Sequence, residues 1–288
     1  MVFISNVKVF AYIQSWIGSV NVERIVLKTE KQFKNYGQPY KIINTTDNVY
    51  DKENWIDLGN KWGYLSFYTA LKDFDMSYDY MLYMSGDLDG AKIGWDKILD
   101  RSYEILNKYD IWNYSFEKTT QGLPIAYLKP VDNEENLFYS ATNDLTIGWY
   151  HRDLVKTLLD FFKYFEQESN LLYEFPNYGW GVEMSLSSWS MLNKKAVVKD
   201  NKYIIPKRSV SSLYVQDLVL RQEADYLFLF NKYSMKNNIN TMSQYLKQMA
   251  FIKSKTLNSK GKPLKVEYKG VDVIKLMYGV STLDIIKK

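Results

Sequence analysis

The stretch YDYMLYMSGDLDG, Tyr78 to Gly90, is an apolar run that ends abruptly in two carboxylates one residue apart. Tyr80, Met81, Leu82, Tyr83 and Met84 are apolar at every position, the pattern of a central strand covered on both faces. In extended backbone successive side chains alternate, so Asp87 and Asp89 project to one side and Leu88 to the other. Two adjacent negative charges repel, and a divalent cation between them relieves the repulsion. Hard cations such as Mg²⁺ and Mn²⁺ take oxygen ligands from one or two carboxylates together with substrate phosphates. Ligands of open α/β sheets bind beyond the carboxyl ends of the strands. An Asp-Gly pair after a strand also makes ordinary turns; with this apolar run before it, the pair reads as a site for a metal-held diphosphate.

Working outward, Val7 to Gln14 reads as a strand, and Ser19 opens a helix with Val22, Ile25, Val26, Thr29 and Phe33 on one face. Gly37 and Pro39 close it, and Tyr40 to Thr46 reads as a second strand, giving a right-handed β-α-β unit with parallel strands. Asp47 to Asp57 reads as an exposed loop, and Leu58 to Phe74 as a helix leading into the Tyr78–Gly90 stretch. Trp95 to Tyr109 is an amphipathic helix, and strands are expected at Ile111–Phe116, Ile125–Leu128 and Leu137–Ala141. Arg152 to Phe165 carries one apolar stripe and is expected to be helical, with polar loops on either side at Ser140–Asp153 and Asn177–Trp189. The second loop places Glu183 after two glycines at the start of another helix. Lys194 to Arg208 suggests a returning hairpin, and further helices are expected at Val215–Phe230 and Thr241–Lys253.

The 288 residues are 46% hydrophobic and 16% aromatic, enough for one large or two modest domains with a real core. Zero cysteines exclude a disulfide scaffold, a thiolate zinc site and a cysteine nucleophile, and fit a reducing compartment. One histidine excludes a His-rich metal site. No apolar run reaches the roughly 18 residues of a membrane helix, and the N-terminus lacks the features of a signal peptide, so a cytoplasmic location is expected. The net charge of +4 is unevenly spread: residues 1–190 carry 18 Lys and Arg against 26 Asp and Glu, whereas 191–288 carry 19 against 7. A basic last third fits either a Lys-rich solvated face or a polyanionic partner, nucleic acid or an anionic membrane surface.

In order, the opening strand-helix-strand, the NKWGYLSFYTAL segment, the strand-borne Asp-x-Asp and the downstream GWGVE resemble a GT-A fold glycosyltransferase of the family 2 type, over roughly Val7 to Lys207. The resemblance implies an α/β, Rossmann-like fold with a mixed, mostly parallel central sheet flanked by helices. It divides the chain into a transferase domain at 1–207 and a basic, mostly helical extension at 208–288. It implies that Asp87 and Asp89 bind Mn²⁺ or Mg²⁺ on the diphosphate of a sugar nucleotide, with Gln14, Ser15, Asp47 and Lys61 also on the donor. It implies a general-base role for Glu183, with Asp144 as rival base or acceptor-binding residue. His151 departs from the pattern, since such enzymes often place a ligating histidine after the base; here it reads as structural and the third metal ligand is unidentified. The implied activity is hexosyl or pentosyl transfer to a hydroxyl. For the acceptor the basic last third leans to nucleic acid, such as hydroxymethylated bases in DNA. The competing readings are a glycan or lipid-linked acceptor and, from another class, a non-catalytic nucleic-acid-binding protein.

Overall fold

The computed structural model describes residues 6–16, 22–59, 63–118, 127–131, 133–140, 143–169 and 181–208, and beyond them 226, 228–230, 232–233 and 236. Among the described residues nine strands form one sheet: β1 (Val9–Ser15), β2 (Tyr40–Asn44), β3 (Trp55–Asp57), β4 (Tyr80–Ser85), β5 (Ile111–Lys118), β6 (Tyr127–Pro130), β7 (Leu137–Ser140), β8 (Ile147–His151) and β9 (Ala196–Ile205). Their order is β3-β2-β1-β4-β8-β5-β9-β7-β6. β3, β2, β1 and β4 are mutually parallel, as are β5 and β9. β8 runs antiparallel between β4 and β5, and β7 antiparallel beside β9.

Among the described residues, helices cover the two faces: α1 (Val22–Tyr36), α2 (Tyr64–Asp73), α3 (Trp95–Lys108), α4 (Arg152–Glu168) and α5 (Val182–Leu192). Each buries a stripe at helical spacing, for example Val22, Val26, Thr29 and Phe33 in α1. On one face α1 meets α3, with the Phe33 and Trp95 rings perpendicular at 5.4 Å. On the other, α2 meets α4 and α4 meets α5; Phe67 of α2 sets its ring edge-on to Tyr83 of β4 at 5.0 Å. The α/β architecture expected from the sequence is therefore present, as a mixed, mostly parallel sheet with helices on both sides.

Three local expectations are corrected. The loop expected at Asp47–Asp57 ends in the edge strand β3, paired to β2. The polar passage expected at Ser140–Asp153 contains β8, which is buried between β4 and β5 because Trp149 and Tyr150 fill the two faces of the sheet. The hairpin expected at Lys194–Arg208 is one ten-residue strand, since β9 pairs with β5 on one side and β7 on the other. Of the extension, described residues 226 and 228–230 are helical, and Tyr226 stacks on Tyr64 at 5.2 Å; the helix expected at Thr241–Lys253 lies outside the described residues. Among the described residues, no helix is long and apolar enough to cross a membrane.

Candidate active site

The chain runs outward from β1 through β2 to β3 and then returns to the other side of β1 as β4. This reversal opens a crevice at the carboxyl ends of β1 and β4, the usual ligand position in open α/β sheets. The acid pair sits at that crevice. Gly86 N donates to Gln14 O at 2.8 Å, and Ser85 N donates to Thr146 O at 2.8 Å, fixing the turn between β1 and the entry to β8. Trp16 Nε1 donates to Ser85 Oγ at 3.1 Å, and that hydroxyl donates to Asp87 Oδ1 at 2.7 Å.

The far side of the turn is held by residues 206–208. Asp89 N donates to Pro206 O at 2.8 Å, Arg208 N donates to Asp87 O at 3.0 Å, and Leu88 bridges Lys207 in antiparallel register. Arg208 Nε reaches Asp89 Oδ2 at 3.1 Å. Asp87 and Leu88 are both fully buried and Asp89 is nearly so, so simple strand alternation does not hold through the turn. Among the described residues no group of three or more acids and histidines gathers for a metal. Two carboxylates nevertheless fit a hard cation that takes its remaining oxygens from phosphate and water.

The other expected site residues occupy defined places. Gln14 and Ser15 end β1: Gln14 Oε1 accepts from the Tyr83 hydroxyl at 3.2 Å, and Ser15 O accepts from Thr45 N at 2.8 Å. Asp47 is exposed beyond β2, at the same end of the sheet, in a loop organised by Asn44, which accepts from Thr46 N and donates to Asp57 Oδ1 at 2.6 Å. Lys61 lies outside the described residues.

His151 is at the opposite end. It pairs with Tyr80, the first residue of β4, while the acids follow its last residue. Five strand residues separate the two levels, about 16 Å. The imidazole caps α4, accepting from Asp153 N, and stacks on Trp112 at 5.7 Å. It is a structural residue, as its sequence context suggested.

Asp144 stands before β8, against Lys118 at the end of β5, with Lys118 Nζ at 2.5 Å. Thr146 N and Oγ1 also donate to it, at 2.9 and 2.8 Å. Against its burial, the ammonium and these donors hold the Asp144 carboxyl far below the usual carboxylate range. It is a weak proton acceptor.

Glu183 lies in the first turn of α5, whose opening depends on Gly181. Gly181 has φ 92°, and a Cβ there would stand 2.7 Å from the Tyr226 ring. The Ser185 and Tyr226 hydroxyls, 2.8 Å apart, lock the same turn. A tight reversal joins α5 to β9, with Lys195 N donating to Ser190 O at 2.8 Å. α5 therefore runs back along β9, and its first turn lies toward the carboxyl ends of β5 and β9. Glu183 is close enough to Tyr150 and Tyr226 for its charge to raise both phenols, added to the larger effect of burial.

Sequence reasoning missed Ser85, Trp16, Arg208, Lys118 and Lys199. The lysines were the detectable ones: each is a cation in a strand that is otherwise largely buried. Burial pulls the ammonium of both below the ordinary lysine range, Lys199 to about 8.

No protein-family model matches the chain, and no curated protein matches it. Solved structures give loose likenesses. One is 4-diphosphocytidyl-2C-methyl-D-erythritol synthase from Anaerococcus prevotii, 15% identical over 76% of this chain and 95% of that one, with a TM-score of 0.39. Another is Drosophila β1,4-galactosyltransferase 7, as a mutant in complex with manganese, UDP-Gal and xylobiose, 14% identical over 75% and 80% with a TM-score of 0.35. A third is a glycosyltransferase involved in glycosylation of the major capsid of PBCV-1, 11% identical over 59% and 72% with a TM-score of 0.32. Scores this low carry no argument about residues or chemistry.

Proposed function

We propose that this chain is a metal-dependent glycosyltransferase that moves a sugar from a nucleotide-diphosphate donor to a hydroxyl acceptor. The observation that carries the reading is the buried acid pair Asp87 and Asp89 at the β1/β4 crevice, clamped from β1, from β8 and from residues 206–208. Gln14, Ser15 and Asp47, at the ends of β1 and β2, are then on the nucleoside side of the crevice. Asp87 and Asp89 would hold Mn²⁺ or Mg²⁺, which supplies positive charge to the departing diphosphate, a contribution of several kcal/mol. Arg208 and Lys207 stand beside the pair and add fixed positive charge for the same phosphates.

Glu183 takes the proton of the acceptor hydroxyl as that oxygen bonds to the anomeric carbon and the diphosphate leaves. Asp144 is the weaker candidate, because Lys118 and Thr146 already satisfy its charge. The nucleic-acid acceptor expected from the basic last third rests on nineteen Lys and Arg, eleven of which lie outside the described residues.

The test is release of nucleoside diphosphate from a panel of sugar nucleotides with Mn²⁺, with and without acceptors. Metal-dependent release that disappears in Asp89→Ala is expected. Full activity in that variant, or release indifferent to chelation, would refute the metal assignment.

A further inference from the structure

An open cavity of about 430 Å³ lies on the outer side of α1, with Lys28, Lys31, Gln32 and Asn35 on one wall and Asp89, Ala91 and Lys92 on the other. The four α1 residues stand at i, i+3, i+4 and i+7, a single stripe about 10 Å long. The second wall is the 3-10 turn Gly90–Lys92, between the acid pair and α3. Contacts across the groove hold the walls in place. Trp95 N donates to Gln32 Oε1 at 2.9 Å and Trp95 Nε1 donates to Thr29 Oγ1 at 3.1 Å, so the start of α3 is fastened to α1 at two points. The turn rests on the Trp95 ring, which a Cβ on Gly90 would approach to 2.5 Å. The cavity is thus formed before any ligand arrives, as small-molecule sites usually are.

Its charge is concentrated and little offset. Lys28, Lys31 and Lys92 are exposed, and among the described residues none of them makes an ion pair or a side-chain hydrogen bond. The acids around them are mostly engaged. Glu30 accepts from the Tyr40 hydroxyl at 3.0 Å and pairs with Lys34 at 3.4 Å, Asp100 accepts from the Tyr36 hydroxyl at 2.7 Å, and Asp89 takes Arg208. Exposed Asp96, folded over Gly94, is left against three ammonium groups. These lysines gather although residues 1–190 as a whole are acidic, with 18 Lys and Arg against 26 Asp and Glu. Ammonium groups around one concavity repel one another, and an anion of two charges relieves the repulsion.

We propose that this cavity binds a sugar phosphate, with Lys28, Lys31 and Lys92 on the phosphate and the Asn35 and Gln32 amides on the sugar hydroxyls. Lysine presents a compact charge with three donors, suited to a phosphate reached from several sides. The rest of the lining defines the body of the ligand. A bare phosphate would leave most of the cavity to water. Among the described residues Ala91 is the one apolar residue of the lining, so no ring is present on which a nucleobase could stack. Amides and ammonium groups match a hydroxylated body instead. A concave site of this size also suits a small molecule better than a duplex or a membrane surface, which call for an extended basic face. The site shares Asp89 with the acid pair, but its other residues take no part in the transferase reading and the inference does not rest on it.

Calorimetric titration of the full chain in EDTA compares glucose 1-phosphate, glucose and inorganic phosphate, with duplex DNA and phosphatidylserine-containing vesicles as separate arms. Glucose 1-phosphate should bind about a hundredfold more tightly than glucose and about tenfold more tightly than inorganic phosphate. Lys31→Gln and Lys92→Gln should each weaken it about tenfold. Lys97→Gln removes the same charge from an exposed position outside the cavity and should change the affinity by less than about twofold. All three side chains are exposed, so the variants retain the fold. An equal loss in Lys97→Gln, inorganic phosphate held as tightly as the sugar phosphate, a requirement for Mn²⁺, or a response to the DNA or the vesicles alone overturns the inference. If the sugar phosphate binds with this pattern but no sugar nucleotide is hydrolysed when Mn²⁺ is supplied, the phosphate site stands and the transferase reading fails.

Discussion

Replacing Lys199 by methionine should make the protein more stable, against the usual direction of core substitutions. The folded state holds the Lys199 ammonium at about 8, against 10.5 for an ordinary lysine, because burial disfavours its charge and Lys118 repels it. At 1.36 kcal/mol per unit, that displacement is a destabilisation of about 3 kcal/mol at pH 7. The folded-state value is depressed for a base, so the unfolded chain binds more protons between the two values. The cost is therefore fully present below pH 8 and is relieved as pH rises from 8 toward 10.5. Methionine keeps the length of the side chain and removes the charge, so Lys199→Met gains about 3 kcal/mol at pH 7 and roughly 1.5 kcal/mol at pH 9.5. Urea unfolding followed by tryptophan fluorescence at the two pH values measures both numbers, with the slope in denaturant checked for equality between the proteins. A variant less stable than the parent at pH 7, or a difference that does not shrink with pH, would refute the claim that Lys199 is buried charged and unpaired.

Lys118→Met should behave oppositely although it removes a lysine from the same neighbourhood: it strands Asp144 without its ammonium and is expected to cost about 3 kcal/mol in the same unfolding assay. Gly148→Ala should cost about 2 kcal/mol, because the new methyl would overlap the Tyr150 hydroxyl and ring, whereas Tyr150→Phe, which deletes an unpartnered hydroxyl, should leave stability within about 0.5 kcal/mol. Glu183→Gln should lower kcat for transfer by roughly 10²-fold while nucleotide-sugar binding with Mn²⁺, measured calorimetrically, stays within about twofold; an unchanged kcat would return the base role to another group.

The parallel half of the fold was legible because its physics is local. β1, α1, β2, β4 and α3 each repeat their apolar residues at the period of the element they form, and each is bounded by glycine, proline or charge. β3 escaped notice because three residues at a sheet edge need only half-burial and leave almost no pattern. β8 escaped for the opposite reason. IGWYH is five residues long, buried at nearly every position, and preceded by Thr-Asn-Asp, which reads as loop chemistry. Its strand character comes from β4 and β5 on either side, which no window of sequence contains.

The misreading of β9 is more instructive, because charged residues buried in mid-strand caused it. Lys199, Asp200 and Asn201 look like the tip of a hairpin, since charge and asparagine interrupt an apolar run. In the structure Asp200 is taken by Arg101 across the sheet, a partner 99 positions away, which makes a buried acid affordable in mid-strand. Lys199 has no such partner among the described residues. Where local propensity and the fold disagree, the disagreement is either compensated at long range or retained for function. Asp200 is the first kind. The acid pair at the end of β4 is compensated as well, Asp87 by the Ser85 hydroxyl and Asp89 by Arg208, a partner 119 positions away.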